Sequence, residues 1–441
     1  MRMLWRLSLA VGLTAPPAMA MAQSCVSPAS SAFQQALSTL PKDLQALLAQ
    51  HGAAGGPACT APQPHVIQTG FAPPPVTRPQ APAAVLGPIV ADEVLVTVQG
   101  GEGEARAVAA ANGLAVVSLR TSLLLGDSLV RYRIPDGRPP ARVLADLVAD
   151  PRVTDFEVNH IYDLQQTTAA APPRFELETI ALGATDRRFT GKGVRVALID
   201  SGVDDQHPAL AGAIAASFDA LREVPVNDRR HGTAIAGLIA GRGELGSVAP
   251  AALLLVARAF DVEGAGAARS RSDALLEALD WAVTEKAAII NMSFAGPRNR
   301  LLTRALAAAH ARGIVLIASS GNNGPGAPYA YPAAEPGVLA ITATDSRNML
   351  YAEANRGPYV FAAAPGVEVL APVPGGMDLM TGTSFAAGLA SGIAALILEA
   401  DPKATPDALA GRIARTAKDL GAPGRDAEYG VGLVSAAAAL P

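Results

Sequence analysis

Val194-Arg-Val-Ala-Leu-Ile-Asp200-Ser-Gly-Val-Asp204 sets a carboxylate directly after an apolar run interrupted only by Arg195. A short run of this kind, closed by a turn-forming Ser-Gly, reads as a strand whose two faces are both covered, since neither face is left polar. Strands covered on both sides belong to parallel sheets flanked by helices. Ligands of such sheets sit outside the carboxyl ends of the strands. Asp200 stands at that end.

Downstream, strand-like and helix-like periods alternate. A helix is expected over His231–Ala240, a strand over Ala252–Ala257, a helix over Ser272–Thr284 and a strand over Ala288–Phe294. A helix over Arg300–Arg312 and strands over Ile314–Ala318 and Val338–Ala343 follow. The helix Ser384–Glu399 is apolar on nearly every face and should lie centrally. Upstream, Glu93–Gln99, Ala105–Asn112, Leu114–Leu119, Ser128–Ile134, Ala141–Ala149 and Val153–Val158 alternate as β-α-β-β-α-β, the ferredoxin-like order. The expected fold is therefore α/β, an open parallel sheet with helices on both faces, preceded by a small α+β unit of ferredoxin-like order.

Of the 441 residues, 50% are hydrophobic and 17% charged, which is enough to build cores and excludes wholesale disorder. A net charge of −4 leaves no basic footprint for nucleic acid. Arg2 and Arg6 precede the apolar run Leu7–Leu13, and Ala18-Met-Ala20-Met-Ala22 offers small residues for cleavage, the pattern of a secretory leader over residues 1–22. Pro16-Pro17 ends the run too early for a membrane span, so no transmembrane segment is expected in the mature chain. Residues 23–91 hold one helical period and then a Pro-rich linker. Cys25 and Cys59, the only cysteines, are expected to form a disulfide after export, with two unrelated thiols as the other reading. An exported protein, periplasmic or extracellular, follows.

Two further motifs join Asp200. His231-Gly-Thr-Ala-Ile-Ala-Gly237 opens a helix of small residues, and Gly382-Thr-Ser384-Phe-Ala-Ala387 puts a serine at a helix start, where backbone N–H groups favour negative charge. Each alone reads as well as a turn or a helix cap. Together they supply what acyl transfer needs: a hydroxyl nucleophile, an imidazole base and a carboxylate to orient it.

These segments resemble the subtilisin-like serine proteases, whose signature blocks read here ALIDSGVD, HGTAIAG and GTSFAA, over about residues 176–437. The order Asp, His, Ser distinguishes them from α/β-hydrolases and chymotrypsin-like enzymes. The resemblance implies a catalytic domain over 176–441 with Asp200, His231 and Ser384 as the triad. It also implies an oxyanion-hole role for Asn322 in Ala318-Ser-Ser-Gly321-Asn322. Ser293, Phe294, Ala295 and Gly296, with Ala318, Ser319 and Ser320, are implied as substrate-lining residues. Residues 92–165 look like the propeptide of this family, a folding aid and temporary inhibitor cut free near residues 162–171. Protein or peptide substrates and the chain's own propeptide are the implied partners.

No cofactor is expected. No acidic cluster demands a metal, and calcium would rest on family analogy alone. The sequence departs from the family at Gly388, Arg230 and Ala295. The Ala295 methyl stands where a glycine is usual in a pocket wall, so small or medium apolar residues are expected before the scissile bond, with Phe294 facing away. The rival reading is a catalytically silent protein that keeps the fold for binding or inhibition.

Overall fold

A computed structural model describes residues 88–441, apart from 165–166, 169–174, 185–187, 223, 244–245 and 263–267. The expected leader, the helix and Pro-rich linker within 23–87, and the Cys25–Cys59 pair lie outside the described residues. The described part begins with β1 (Ile89–Val98), α1 (Glu102–Asn112), β2 (Ala115–Thr121), β3 (Ser128–Arg133), α2 (Pro140–Leu147) and β4 (Val153–Leu164). In space the strands run β2-β3-β1-β4 with every neighbour antiparallel, which is the ferredoxin-like order. Alternation along β1 explains its two-sided burial. Val94, Val96 and Val98 face α1 and α2, while Leu95 turns to the opposite face and joins the core of the C-terminal half.

The chain continues through β5 (Thr167–Thr168), α3 (Phe175–Thr179), β6 (Arg195–Asp200), β7 (Ile214–Asp219), α4 (Arg230–Ala240), β8 (Leu253–Arg258), β9 (Asp261–Val262) and β10 (Ala268–Arg271). Next come α5 (Ser272–Thr284), β11 (Ile289–Met292), β12 (Phe294–Ala295), α6 (Arg300–Ala311), β13 (Val315–Ser319), β14 (Val338–Thr344) and β15 (Val360–Pro365). The chain closes with β16 (Val369–Val373), β17 (Gly376–Thr381), α7 (Thr383–Ala400), α8 (Pro406–Thr416) and α9 (Ala436–Ala439).

Seven strands make an all-parallel sheet in the order β15-β14-β13-β11-β6-β8-β7. Val196 and Leu198 of β6 pack against α4 and α7, and Ala197 and Ile199 pack against α5 and α6. Both faces are covered, as the unbroken apolar run requires. Chain order reverses between β6 and β11, so the crevice of this sheet lies beyond Asp200 and Met292.

Two strands differ from expectation: the one expected over Ala288–Phe294 is split into β11 and β12, which lie in different sheets, and β4 is longer. β4 was expected to stop at Val158 and instead runs to Leu164. Its extra length is held by distant partners: Ile161, Tyr162 and Asp163 pair with β10, and Asp163 and Leu164 pair with β12. A local hydrophobic pattern cannot reveal partners that arrive from elsewhere in the chain. Ion pairs reinforce the junction. Arg131 meets Asp273 at 3.0 Å, Arg304 meets Asp155 at 2.8 Å, and Arg120 pairs with Asp280.

Helix α4 must cross close to β16. A Cβ on Gly237 would stand 2.0 Å from Cγ and 2.4 Å from Cδ of Pro372, a rigid ring that cannot swing away. Gly237→Ala should therefore cost about 1–3 kcal/mol through overpacking, despite alanine's better helix propensity. Urea unfolding in a Ser384→Ala background checks this; an unchanged or raised midpoint would show that β16 yields freely.

Candidate active site

Asp200 is the last residue of β6 and has no solvent exposure. A charge taken out of water must be met by donors. Its Oδ1 accepts from the Ser201 backbone N–H at 2.7 Å and lies 2.7 Å from His231 Nδ1. Asp200 thus engages the ring through Nδ1, and Nε2 is the nitrogen on the ring's other side.

His231, also fully buried, sits in the first turn of α4. The helix reaches β6 because residue 232 is glycine. A Cβ there would be 2.7 Å from the Gly202 carbonyl oxygen and 2.9 Å from that of Ser201. In its place the Gly232 N–H donates to Ser201 Oγ at 3.1 Å.

Ser384 stands in the first turn of α7, next to Phe385, whose ring lies 5.4 Å from the His231 ring. Its Oγ donates to the Ser293 carbonyl at 3.0 Å, and Ser293 Oγ contacts Asn291 Oδ1 and the Ser384 carbonyl. Asn291 Nδ2 donates to Ser391 Oγ at 2.9 Å, about two turns further along α7. This ladder of polar contacts clamps the serine helix to the end of β11.

Asn322 is oriented by its neighbour Thr383. Its Oδ1 accepts from the Thr383 backbone N–H at 3.0 Å and from Thr383 Oγ1 at 2.7 Å. Thr383 Oγ1 in turn accepts from the Gly321 N–H. With Oδ1 engaged, the amide's other end, Nδ2, is the end that can donate. Gly321 has φ 107°, and a Cβ there would collide with Asn355, so the loop requires glycine.

Of the substrate-lining residues implied by the sequence, Phe294 and Ala295 pair with Leu164 and Asp163 of β4. Phe294 turns into the core, 5.0 Å from the Phe260 ring and edge-on to Tyr162 at 6.0 Å. Ser293, Ala318, Ser319 and Ser320 are fully buried. Gly296 backs Tyr162, whose OH donates to the Pro297 carbonyl at 3.1 Å. Burial pushes the Tyr162 phenol far above its ordinary value, so it is neutral there.

Several contributors escaped the sequence reading: β10, β17, Thr383, Ser201 and the tyrosine seat at Gly296. Thr383 and Ser201 lie inside the quoted motifs and Gly296 in the expected wall, but nothing in the sequence marked these three for such a role, and β10 and β17 carry no motif. The adjacency of Gly296 to the Ser293–Ala295 wall was the one available signal. Among the described residues no group of three or more His, Cys, Asp and Glu side chains is arranged for a metal ion.

Comparison with known proteins bears on the family and the fold. The profile of the subtilase family matches residues 191–432. Subtilisin E of Bacillus subtilis (strain 168) is 33% identical over 308 residues, covering 68% of this chain and 78% of that protein. Subtilisin of Bacillus pumilus is 35% identical over 261 residues, covering 57% of this chain and 92% of that one. The minor extracellular protease Epr of Bacillus subtilis (strain 168) is 32% identical over 253 residues, a match spanning only 38% of Epr's own length. Among solved structures, fervidolysin from Fervidobacterium pennivorans, described as a keratinolytic enzyme related to subtilisin, aligns with TM-score 0.70 at 24% identity. That alignment covers 81% of this chain and 62% of fervidolysin, and it speaks for the fold.

The tyrosine seat yields a structural prediction. A Cβ on Gly296 would come within 2.2 Å of the Tyr162 ring, so Gly296→Ala should weaken the docking of β4 by about 1–3 kcal/mol. Faster amide exchange over residues 159–164 is the expected readout. Unchanged protection would mean that the ring is accommodated elsewhere.

Proposed function

The chain belongs to the subtilase family as a serine-type endopeptidase, and from that premise we propose that it cuts peptide bonds through an acyl-enzyme on Ser384. The observation that carries the assignment is the buried 2.7 Å contact between Asp200 and His231, set beside a serine at a helix start. Ser384 Oγ attacks the substrate carbonyl while His231 Nε2 takes its proton and then delivers it to the leaving amine. Asp200 keeps the proton on Nδ1 and stabilises the imidazolium that forms. The oxyanion is met by the Ser384 N–H and Asn322 Nδ2, both held in advance, so that little reorganisation is needed as charge develops. Water then releases the acyl group by the same proton route in reverse. A silent binding protein has no use for this pairing, and no observation favours that reading.

Residues 92–165 are proposed to act as the chain's own propeptide and first substrate. The pairing of β4 between β10 and β12 supports this, because it lays an extended segment across the wall beside Ser293. Beyond it, β5 pairs with β17, the strand that leads directly into Gly382-Thr383-Ser384. Described residues on either side therefore favour a first cut between Leu164 and Thr167, inside the wider window 162–171; Gln165 and Gln166 lie outside the described residues. Export through the leader at residues 1–22 belongs to the same proposal, in keeping with Epr's description as extracellular.

Ser384→Ala should abolish turnover and fluorophosphonate labelling and accumulate at the uncut mass, whereas the wild type matures with a new terminus between residues 165 and 167. Maturation of Ser384→Ala expressed alone would assign the cut to another protease. Asn322→Ala should lower kcat by roughly 10²–10³, a size taken over from subtilisin itself, with KM little changed. Intact mass and steady-state kinetics on a peptide anilide check both.

A further inference from the structure

The catalytic histidine has a second carboxylate close by that the mechanism does not use. Asp228 lies three residues before His231, in the segment leading into α4. Its position is fixed twice: its carbonyl accepts from the Gly202 N–H at 3.1 Å, and its Oδ1 accepts from the Arg230 N–H at 2.8 Å. The second contact is an Asx-type turn, which would by itself explain an Asp or an Asn here. The other oxygen has no such explanation. Oδ2 is buried, has no hydrogen-bond partner, and no cation pairs with the carboxylate among the described residues.

The surrounding charges are otherwise matched. Arg258 on β8 is engaged by Asp219 of β7 and by Asp261 of β9, and Arg230 on α4 is paired with Asp378 of β17. Arg229 is solvent-exposed. His231 on α4 therefore meets Asp200 from β6 directly, and the Asp228 carboxylate is held against the N–H of the residue immediately before the histidine. Burial pushes the Asp228 carboxyl up, the charge of His231 draws it down, and Asp200 and Asp261 push it up again. Asp228 thus lies within electrostatic reach of both the catalytic base and its orienting acid.

We propose that Asp228 is a positioning residue of the active site, a second carboxylate that holds positive charge on the His231 ring through space and so sets the acid limit of proteolysis. The inference rests on the reading of His231 as the general base. The sign follows directly. A nearby negative charge favours imidazolium, so His231 keeps its proton to higher pH with Asp228 than without it. The free base is the active form, so kcat/KM falls as pH drops through the His231 titration. The same charge stabilises the imidazolium in the transition state. Its removal should widen activity toward acid and lower the plateau.

Asp228→Asn keeps the turn acceptor and removes only the charge; Asp228→Ser, another turn former, does the same should the asparagine variant fold poorly. The titration of His231 is read by NMR in the Ser384→Ala background, which requires no turnover. It should move down by on the order of 0.5–1 unit. In otherwise wild-type protein the acid limb of kcat/KM should move with it, and the plateau kcat should fall about 3- to 10-fold, the same electrostatic difference expressed at the transition state. A His231 titration unmoved within about 0.2 unit in both variants would overturn the proposal and leave Asp228 as a turn former. Absence of turnover in wild type would instead defeat the protease reading, while the NMR titration would still decide Asp228.

Discussion

A carboxylate with no access to water, joined to a buried imidazole by a 2.7 Å contact, is the constraint around which the rest is arranged. Burying such a pair is costly unless donors and shape are near ideal. The fold meets that demand with a strand end that delivers Asp200, a Ser201 N–H that meets its oxygen, and glycines at 202 and 232 that bring α4 against β6. Helix α7 closes the arrangement through the Asn291–Ser391 and Ser293–Ser384 contacts. Small residues dominate these helices because close approach leaves no room for larger ones.

The N-terminal unit meets the C-terminal half through a surface of mixed character. Leu95, Leu124, Leu125 and Leu129 enter the same core as α5 and α6, while Asp155, Arg131 and Arg120 reach ionic partners around them. Buried carboxyls occur there too. Glu157, pushed up by burial, lies against the first backbone N–H of α6, and Glu335, pushed up for the same reason, accepts from Thr303. Apolar contacts of this kind supply affinity, and desolvated charges supply specificity at a cost in strength.

Continuity of one backbone across two sheets links this unit to the segment beside Ser293. β4 begins as the edge of the ferredoxin-like sheet and ends as the middle strand between β10 and β12. Its final residues satisfy their N–H and C=O groups on β10 and β12. Edge strands invite such addition because their unpaired backbone groups accept any extended chain. The tyrosine at position 162 adds a side-chain anchor where Gly296 leaves space for a ring.

Sequence by itself determined the layered α/β class and the ferredoxin-like order upstream, and it singled out Asp200, His231 and Ser384, the first two of which the fold brings into contact. It could do so because both-face burial writes an unbroken apolar run, hairpins and helices write their periods locally, and motif residues must keep fixed spacing from the elements that carry them. Only tertiary structure decided that β4 runs on to Leu164, that Thr383 orients Asn322, and that Asp228, three residues before His231, keeps a buried oxygen with no hydrogen-bond partner. Those facts depend on partners far apart in the chain, on backbone groups that are the same in every residue, and on exclusion of water. None of the three leaves a pattern in a linear string.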